Sequence, residues 1–361
     1  MARLGIVGFA NTGKTTLFNA LTGLGAYTAP HPFATTEPNV GVAKIPDSKL
    51  EAVARVEGSA KVVPATLDLL DLPALGHPGE SASGGLGGQF VGRLREMDAL
   101  VAVLRVFSDP SIPSDESGTD PVAQAEEIML ELALVDHEAL SRRSDRVSKE
   151  ASADPSKRST AAALNEAVAI LATGASLRTR PWPEQAQAAY RDSGPLSLKP
   201  VMWVLNVDEE ADSTEDLIEK VKASVPPGDP VVAVSARLEQ EGARLSPEDR
   251  IELFEGLGLG EGALALLFGA AYEGLGLISF YTVGPKESRA WTIPSGATAP
   301  EAAGKIHSDL ERGFIRAEVS TVDQVIEAGG WDHAKRAGKV RVEGRSYVVA
   351  PGDVLMIRFS V

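Results

Sequence analysis

Short apolar runs alternate with amphipathic stretches along the first part of the chain. Leu4, Ile6 and Val7 form a run that ends at Gly8. Leu17, Phe18, Ala20 and Leu21 follow at helical spacing and stop near Gly23. Further apolar runs lie at 67–72, 99–107, 201–205 and 231–234, each bounded by turn residues. Runs of that length predict strands of a parallel sheet covered on both faces. The helical patterns between some of them define an α/β class.

Two later stretches have a different texture. From Pro121 to about Arg180 there is no strand pattern. Ile128, Leu132, Val135 and Ala139 lie at helical spacing, as do Leu164, Val168 and Leu171, and the sequence between the two sets is strongly polar. This predicts an antiparallel, coiled-coil-like helical pair inserted into the α/β domain; the alternative is two more surface helices of that domain. After Gly276, strand-like runs at 277–283, 289–293, 315–319, 339–342, 347–349 and 354–359 are interrupted by helical pieces at 300–310 and 322–328. They predict a small α+β domain with a mixed sheet. The expected division is therefore 1–120 with 200–275, an insertion at 121–199, and a C-terminal domain at 276–361.

Composition narrows the classes. A length of 361 residues suits two or three domains, and 43% hydrophobic with 24% charged residues is ordinary for a globular chain. Without cysteine, the chain has no disulfides, thiolate metal sites or cysteine nucleophiles. No apolar run reaches the length of a membrane span, and the N-terminal stretch lacks a signal-length apolar core, so a cytoplasmic location is expected. The net charge of −15 argues against a chain that wraps DNA. The segment 286–361 differs, with 11 Lys and Arg against 10 Asp and Glu, and is the part best suited to approach RNA.

The candidate chemistry starts at Gly8-Phe9-Ala10-Asn11-Thr12-Gly13-Lys14-Thr15, which fits G-x-x-x-x-G-K-[ST] and continues into Thr16. Gly8 and Gly13 let the backbone approach phosphates, and the N–H groups of the loop and of the following helix surround the anion. Lys14 is placed for the β- and γ-oxygens. The Thr15 hydroxyl is a hard oxygen ligand suited to Mg²⁺. Thr35, beside Thr36 in the loop APHPFATTEPNVG, is a candidate to complete the metal shell, or a plain polar turn residue. Asp71, at the end of the run LDLLD, is a candidate to hold Mg²⁺ through water.

Base recognition is expected at two strand ends. Asn206-Val207-Asp208-Glu209 follows VMWVL where switch-type GTPases carry Asn-Lys-x-Asp, and Ser235-Ala236-Arg237 follows VVAV where they carry Ser-Ala-Lys. A GTPase Asp accepts from guanine N1–H and the 2-amino group. Here Glu209 is one methylene longer, and Val207 replaces the Lys that lines the base. Adenine has no 2-amino donor and needs no such carboxylate; Asn206 and nearby carbonyls are suited to accept from its 6-amino group. The alternative is a degraded motif that still prefers guanine.

With these motifs in place, the chain resembles the YchF/Obg-like ATPase family of translation-factor P-loop proteins. The matching stretches include PFATTEPNVGV, KVVPATLDLLDLPAL, NVDE, VSARLE, AYEGLGLISFYTVGPKESRAWTIPSG and AGKVRVEGRSYVVAPGDVLMIRFSV. The resemblance implies a G domain, a helical insertion and a C-terminal α+β TGS (ubiquitin-like) domain. It also implies ATP preferred over GTP, Mg²⁺, and association with the ribosome or its RNA through the TGS and helical parts.

Three departures bear on hydrolysis. The Asp-x-x-Gly switch reads Asp71-Leu72-Pro73-Ala74, so the position that usually carries glycine loses access to positive φ. Leu75 occupies the water-positioning Gln slot of common GTPases, a habit of the family, and a leucine orients no water. The family's flexible-loop His is absent, with Ser114 about where it would fall. His77, in the same loop as Leu75, is a candidate to orient water or a solvated loop residue. The sequence fits an ATP-preferring switch with slow hydrolysis, a nucleotide sensor that barely hydrolyses, or a GTPase. Trp291, Phe314 and Trp331 are expected in the core rather than stacked on RNA bases.

Overall fold

The computed structural model describes residues 2–26, 38–75, 88–112, 118–179, 182, 184–191, 193–209, 214–256 and 263–360. The chain forms two compact units, one from 2–42 and 68–267, the other from 43–67 and from Phe268 onward. The strands up to the last of the larger unit are β1 (Arg3–Val7), β2 (Asn39–Lys44), β3 (Val62–Val63), β4 (Thr66–Asp71), β5 (Ala99–Arg105), β6 (Val201–Asn206) and β7 (Val231–Val234). All but β3 build one sheet in the order β2-β4-β1-β5-β6-β7. The pairs β1–β4, β1–β5, β5–β6 and β6–β7 are parallel. β5 and β6 are buried at every position, as expected for inner strands covered on both faces.

This topology positions the site. Parallel strands end on one edge, so the loops after β1, β4, β5, β6 and β7 emerge together. Ligands of open α/β sheets lie outside those ends, where the strand order diverges. β1 sits at that point, with β4 on one side and β5 on the other.

The helix Pro121–Ala153 starts at an Asp120 cap whose side chain accepts from Val122 N, with Pro121 in the first turn. Its 33 residues span about 50 Å. Ala125, Ile128 and Leu132 pack in the sheet core with Leu104 and Leu205. Leu140, Val147 and Ala151 pack instead with Ala161, Leu164, Ala167 and Leu171 of the helix Arg158–Leu171. The expected helical pair is thus rooted in the sheet by its own first turns.

The second unit contains β8 (Leu277–Thr282), β9 (Ser288–Pro294), β10 (Phe314–Thr321), β11 (Arg341–Glu343) and β12 (Asp353–Phe359). With β3 they form a mixed sheet ordered β11-β10-β12-β8-β9-β3. The sequence pattern did not anticipate what residues 43–67 do. The helix Ser48–Glu57 packs Leu50 and Val53 against Tyr281, Val322, Val325 and Trp331, and β3 extends the sheet beside β9. The Tyr281 hydroxyl donates to Asp47, the N-cap of that helix, at 2.9 and 3.2 Å from its two oxygens. Residues expected in the first domain therefore share the core of the C-terminal strands.

The helical piece at 300–310 is two helices, Ala299–Ile306 and Ser308–Arg312. His307 between them is extended, and its Nδ1 accepts from Asp309 N to cap the second. The run at 347–349 makes only an isolated bridge, Val348 to Thr298. Phe314 and Trp331 lie in the core, 5% and 4% exposed, while half-buried Trp291 stacks on Phe280.

Candidate nucleotide and metal site

The loop after β1 has the backbone that its glycines permit. Gly8 has φ 149°, and a Cβ there would lie 2.5 Å from the Val103 carbonyl oxygen. Gly13 has φ 93°, and a Cβ there would run into the Asn206 amide. Any other residue at either position would be strained. Asn11 takes φ 59°, a conformation its short polar side chain tolerates. The helix Lys14–Thr22 begins at Gly13 with no side-chain cap and no acidic residue in its first turn. Its leading N–H groups and positive dipole end are therefore suited to an anion. The Lys14 ammonium donates to the Phe9 carbonyl, curling the side chain over the loop. Thr12 is buried and its hydroxyl donates to the same carbonyl, while Thr16 is half-buried on the first helical turn.

β4 brings Asp71 to this loop. The Thr15 hydroxyl donates to Asp71 Oδ2 at 2.8 Å, and the Asn39 amide donates to the same oxygen at 3.0 Å. Asp71 is 1% exposed, and its Oδ1 has no hydrogen-bond partner among the described residues. A buried carboxylate oxygen without a partner is costly unless something binds it. Thr15 gives its proton to Asp71 and keeps its lone pairs for a cation. A hydroxyl, a carboxylate and phosphate oxygens, with water completing the shell, are the ligands that Mg²⁺ prefers. The residues present fit that ion.

Leu75, which occupies the water-positioning Gln slot and is on sequence a candidate for the catalytic set, is a core residue. It is 2% exposed and packs with Val7, Phe9 and Leu72, while its N–H donates to the Gly8 carbonyl at 3.0 Å. Its apolar side chain belongs to the sheet core. Pro73 and Ala74 are half-buried. Thr35, Thr36, His77 and Ser114 lie outside the described residues.

The expected base-reading residues sit at the ends of β6 and β7. Asn206 is 5% exposed and uses both amide atoms within the protein. Its Nδ2 donates to the Thr12 carbonyl at 2.9 Å, and its Oδ1 accepts from Ala236 N at 3.0 Å. It ties the phosphate loop to the loop after β7. Ser235 caps the helix Ala236–Gly242, its hydroxyl accepting from Leu238 N. Val207 is half-buried against the sheet core. Glu209 pairs with Arg237 at 3.1 Å.

Sequence reasoning missed three groups. Asn39 opens β2, a strand whose valines mislead: Val40 and Val42 are 65% and 50% exposed while Gly41 and Ala43 are buried. Arg105, at the end of β5, is 4% exposed, lies 4.6 Å over the Phe107 ring, and donates to the carbonyls of Phe107, Asp109 and Ile112. Gln124 locks the Arg105 backbone through both amide atoms at 2.8 Å. A polar residue closing an otherwise apolar run was the available signal for Arg105.

A Gly-rich loop after the first strand, a buried carboxylate on a neighbouring strand and Asn206 linking two further strand ends define the class: a P-loop nucleotide-binding G domain on a parallel sheet, with a C-terminal α+β unit. Comparison with known proteins identifies the family. Residues 3–140 match the MMR_HSR1 model, described as a 50S ribosome-binding GTPase, and 277–360 match YchF-GTPase_C, described as a protein of unknown function. The chain is 39% identical to the ribosome-binding ATPase YchF of Escherichia coli O157:H7 over 361 residues, covering 99% of each. It is also 39% identical to that of Bacillus subtilis strain 168, again covering 99% of both. The solved structure of the Schizosaccharomyces pombe YchF GTPase superposes with a TM-score of 0.83 at 28% identity, over 99% of this chain and 97% of that one. The chain belongs to the YchF family.

Proposed function

We propose that the protein is a ribosome-associated P-loop ATPase that works in the cytoplasm as a nucleotide-dependent switch in translation or stress response. The observation that carries the reading is the Thr15–Asp71 hydrogen bond at 2.8 Å beside the Gly8–Gly13 loop, with one buried oxygen of Asp71 left for a cation's shell. In this reading the loop N–H groups and Lys14 hold the triphosphate. Thr15, Asp71 and Thr35 serve Mg²⁺, which when bound draws charge from the β- and γ-oxygens. The preference for ATP follows from Glu209, which is longer than the guanine-reading Asp and engaged by Arg237. The names of the YchF relatives support the ribosome as partner. In this reading the C-terminal unit is a TGS domain, and contact with the ribosome or its RNA is made through it and the helical pair.

Calorimetry with non-hydrolysable ATP and GTP analogues plus Mg²⁺ tests the reading. ATP should bind roughly tenfold or more tightly, the value of one or two charge-assisted hydrogen bonds. Equal affinities or a GTP preference would overturn the base assignment. Wild-type binding by Lys14→Ala would overturn the phosphate site.

The buried Leu75 and the Ala74 switch position favour a second reading, in which the protein senses nucleotide with little hydrolysis of its own. Single-turnover hydrolysis with and without ribosomes separates the two.

A further inference from the structure

Asp71 receives two hydrogen bonds on one oxygen. One comes from Thr15, which belongs to the phosphate-loop helix. The other comes from Asn39, which has no place in that motif. We propose that Asn39 is a positioning residue for the metal site: its amide and the Thr15 hydroxyl together hold Asp71 Oδ2, turning Oδ1 toward the water shell of Mg²⁺. The inference rests on the nucleotide reading above.

Three features support it. Asn39 is the first residue of β2 and Asp71 the last of β4, and these strands are neighbours in the sheet, so the backbone sets the donor against the acceptor. Asn39 is half-buried, which shields its bond from competing water. Its amide is neutral, so it orients the carboxylate without neutralising it. A lysine in that place would remove the charge that makes Asp71 useful to a cation. Groups that orient a ligand in this way affect metal affinity without touching the ion.

The test uses the full chain and a fluorescent non-hydrolysable ATP analogue. Its affinity is measured across a Mg²⁺ titration and again in EDTA, beside the melting temperature without nucleotide. Asn39→Leu keeps the size of the side chain and removes the donor; Asn39→Ala removes the donor without adding bulk. Both should raise the half-saturating Mg²⁺ concentration about tenfold, the low end of such effects. Affinity in EDTA should stay within about twofold and the melting temperature close to wild type, because the bond acts on the metal's ligand. Asn39→Gln, with its donor on a longer arm, should recover part of the loss.

Wild-type Mg²⁺ dependence in the Leu and Ala variants would overturn the proposal. So would an equal loss of affinity with and without Mg²⁺, which would make Asn39 a nucleotide contact, or failure of both variants to fold. Thr15→Ala separates this from failure of the underlying reading. If Thr15→Ala also binds with wild-type Mg²⁺ dependence, the metal site itself is misassigned. If it loses Mg²⁺ dependence while the Asn39 variants do not, only the role of Asn39 fails.

Discussion

Arg237 Nε stands 3.1 Å from Oε1 of Glu209, joining the residue at the Asp position of the Asn-Lys-x-Asp stretch to the residue at the Lys position of the Ser-Ala-Lys stretch. The pair is solvent-accessible, with side chains 74% and 40% exposed, so it adds little to folding. In the ATP-preferring reading, its consequence lies in recognition. A carboxylate already engaged by a guanidinium is a poorer acceptor for guanine N1–H. Arg237→Gln should release Glu209 and move the ATP-to-GTP affinity ratio a few-fold toward GTP. Folding stability should change by less than about 1 kcal/mol. Calorimetry with both analogues reads the ratio; an unchanged ratio would place Glu209 away from the base.

Asn206 should matter to the fold as much as to the ligand. Asn206→Ala would leave the Thr12 carbonyl and the Ala236 N–H without their partners in a buried place. The expected loss is about 1–3 kcal/mol, with weaker nucleotide binding because Thr12 belongs to the phosphate loop. Denaturant unfolding without nucleotide checks the first part. Wild-type stability there would mean that water replaces the amide.

Ala74→Gly tests the switch. The Leu75 N–H is tied to the Gly8 carbonyl immediately after Ala74, and Pro73 fixes the approach from the other side. Glycine opens positive φ to the peptide that would turn toward a γ-phosphate. The single-turnover rate should rise while ATP affinity stays nearly constant, the signature of a change between ground and transition states. A slower rate would refute the restraint.

In the C-terminal unit, Glu318 is 6% exposed and accepts from Lys335 at 2.7 Å and from Arg358 at 3.3 Å. The Lys335 hydrogen bond chiefly, then Arg358, holds its carboxyl below the ordinary glutamate range, against the opposing effect of burial. A depressed folded-state pKa means that the ionised form is favoured by folding. The stabilisation is present above the unfolded-state pKa and is lost as the pH falls through the folded one. Glu318→Gln should therefore melt below wild type at neutral pH, and the gap should close as the pH falls below the usual carboxylate range. A gap independent of pH would show that packing, not charge, sets the difference.

Much of this protein was legible in its local pattern. Gly8, Gly13, Lys14 and Thr15 announced a phosphate loop because backbone freedom and charge at fixed spacing are properties of the chain itself. The inner strands β5 and β6 were legible because burial on both faces demands continuous apolar runs. The helix Val322–Ala328 was marked by its apolar spacing. Tertiary structure alone decided what depends on residues distant in the chain. Asn39 meets Asp71 because β2 lies beside β4, and nothing local to Asn39 marks it as a donor to a carboxylate. Leu75 is a core residue because the chain turns back under the phosphate loop. Residues 43–67 join the C-terminal core because the helix Ser48–Glu57 has only one apolar stripe, formed by Leu50, Val53 and Ala54, and which surface covers that stripe is not written in its spacing. Asn206, placed by its motif at the base, is spent on two loops brought together by parallel strand ends. Local spacing encodes what a segment can form; which of its polar atoms remain for a ligand depends on the partners that the fold delivers to it.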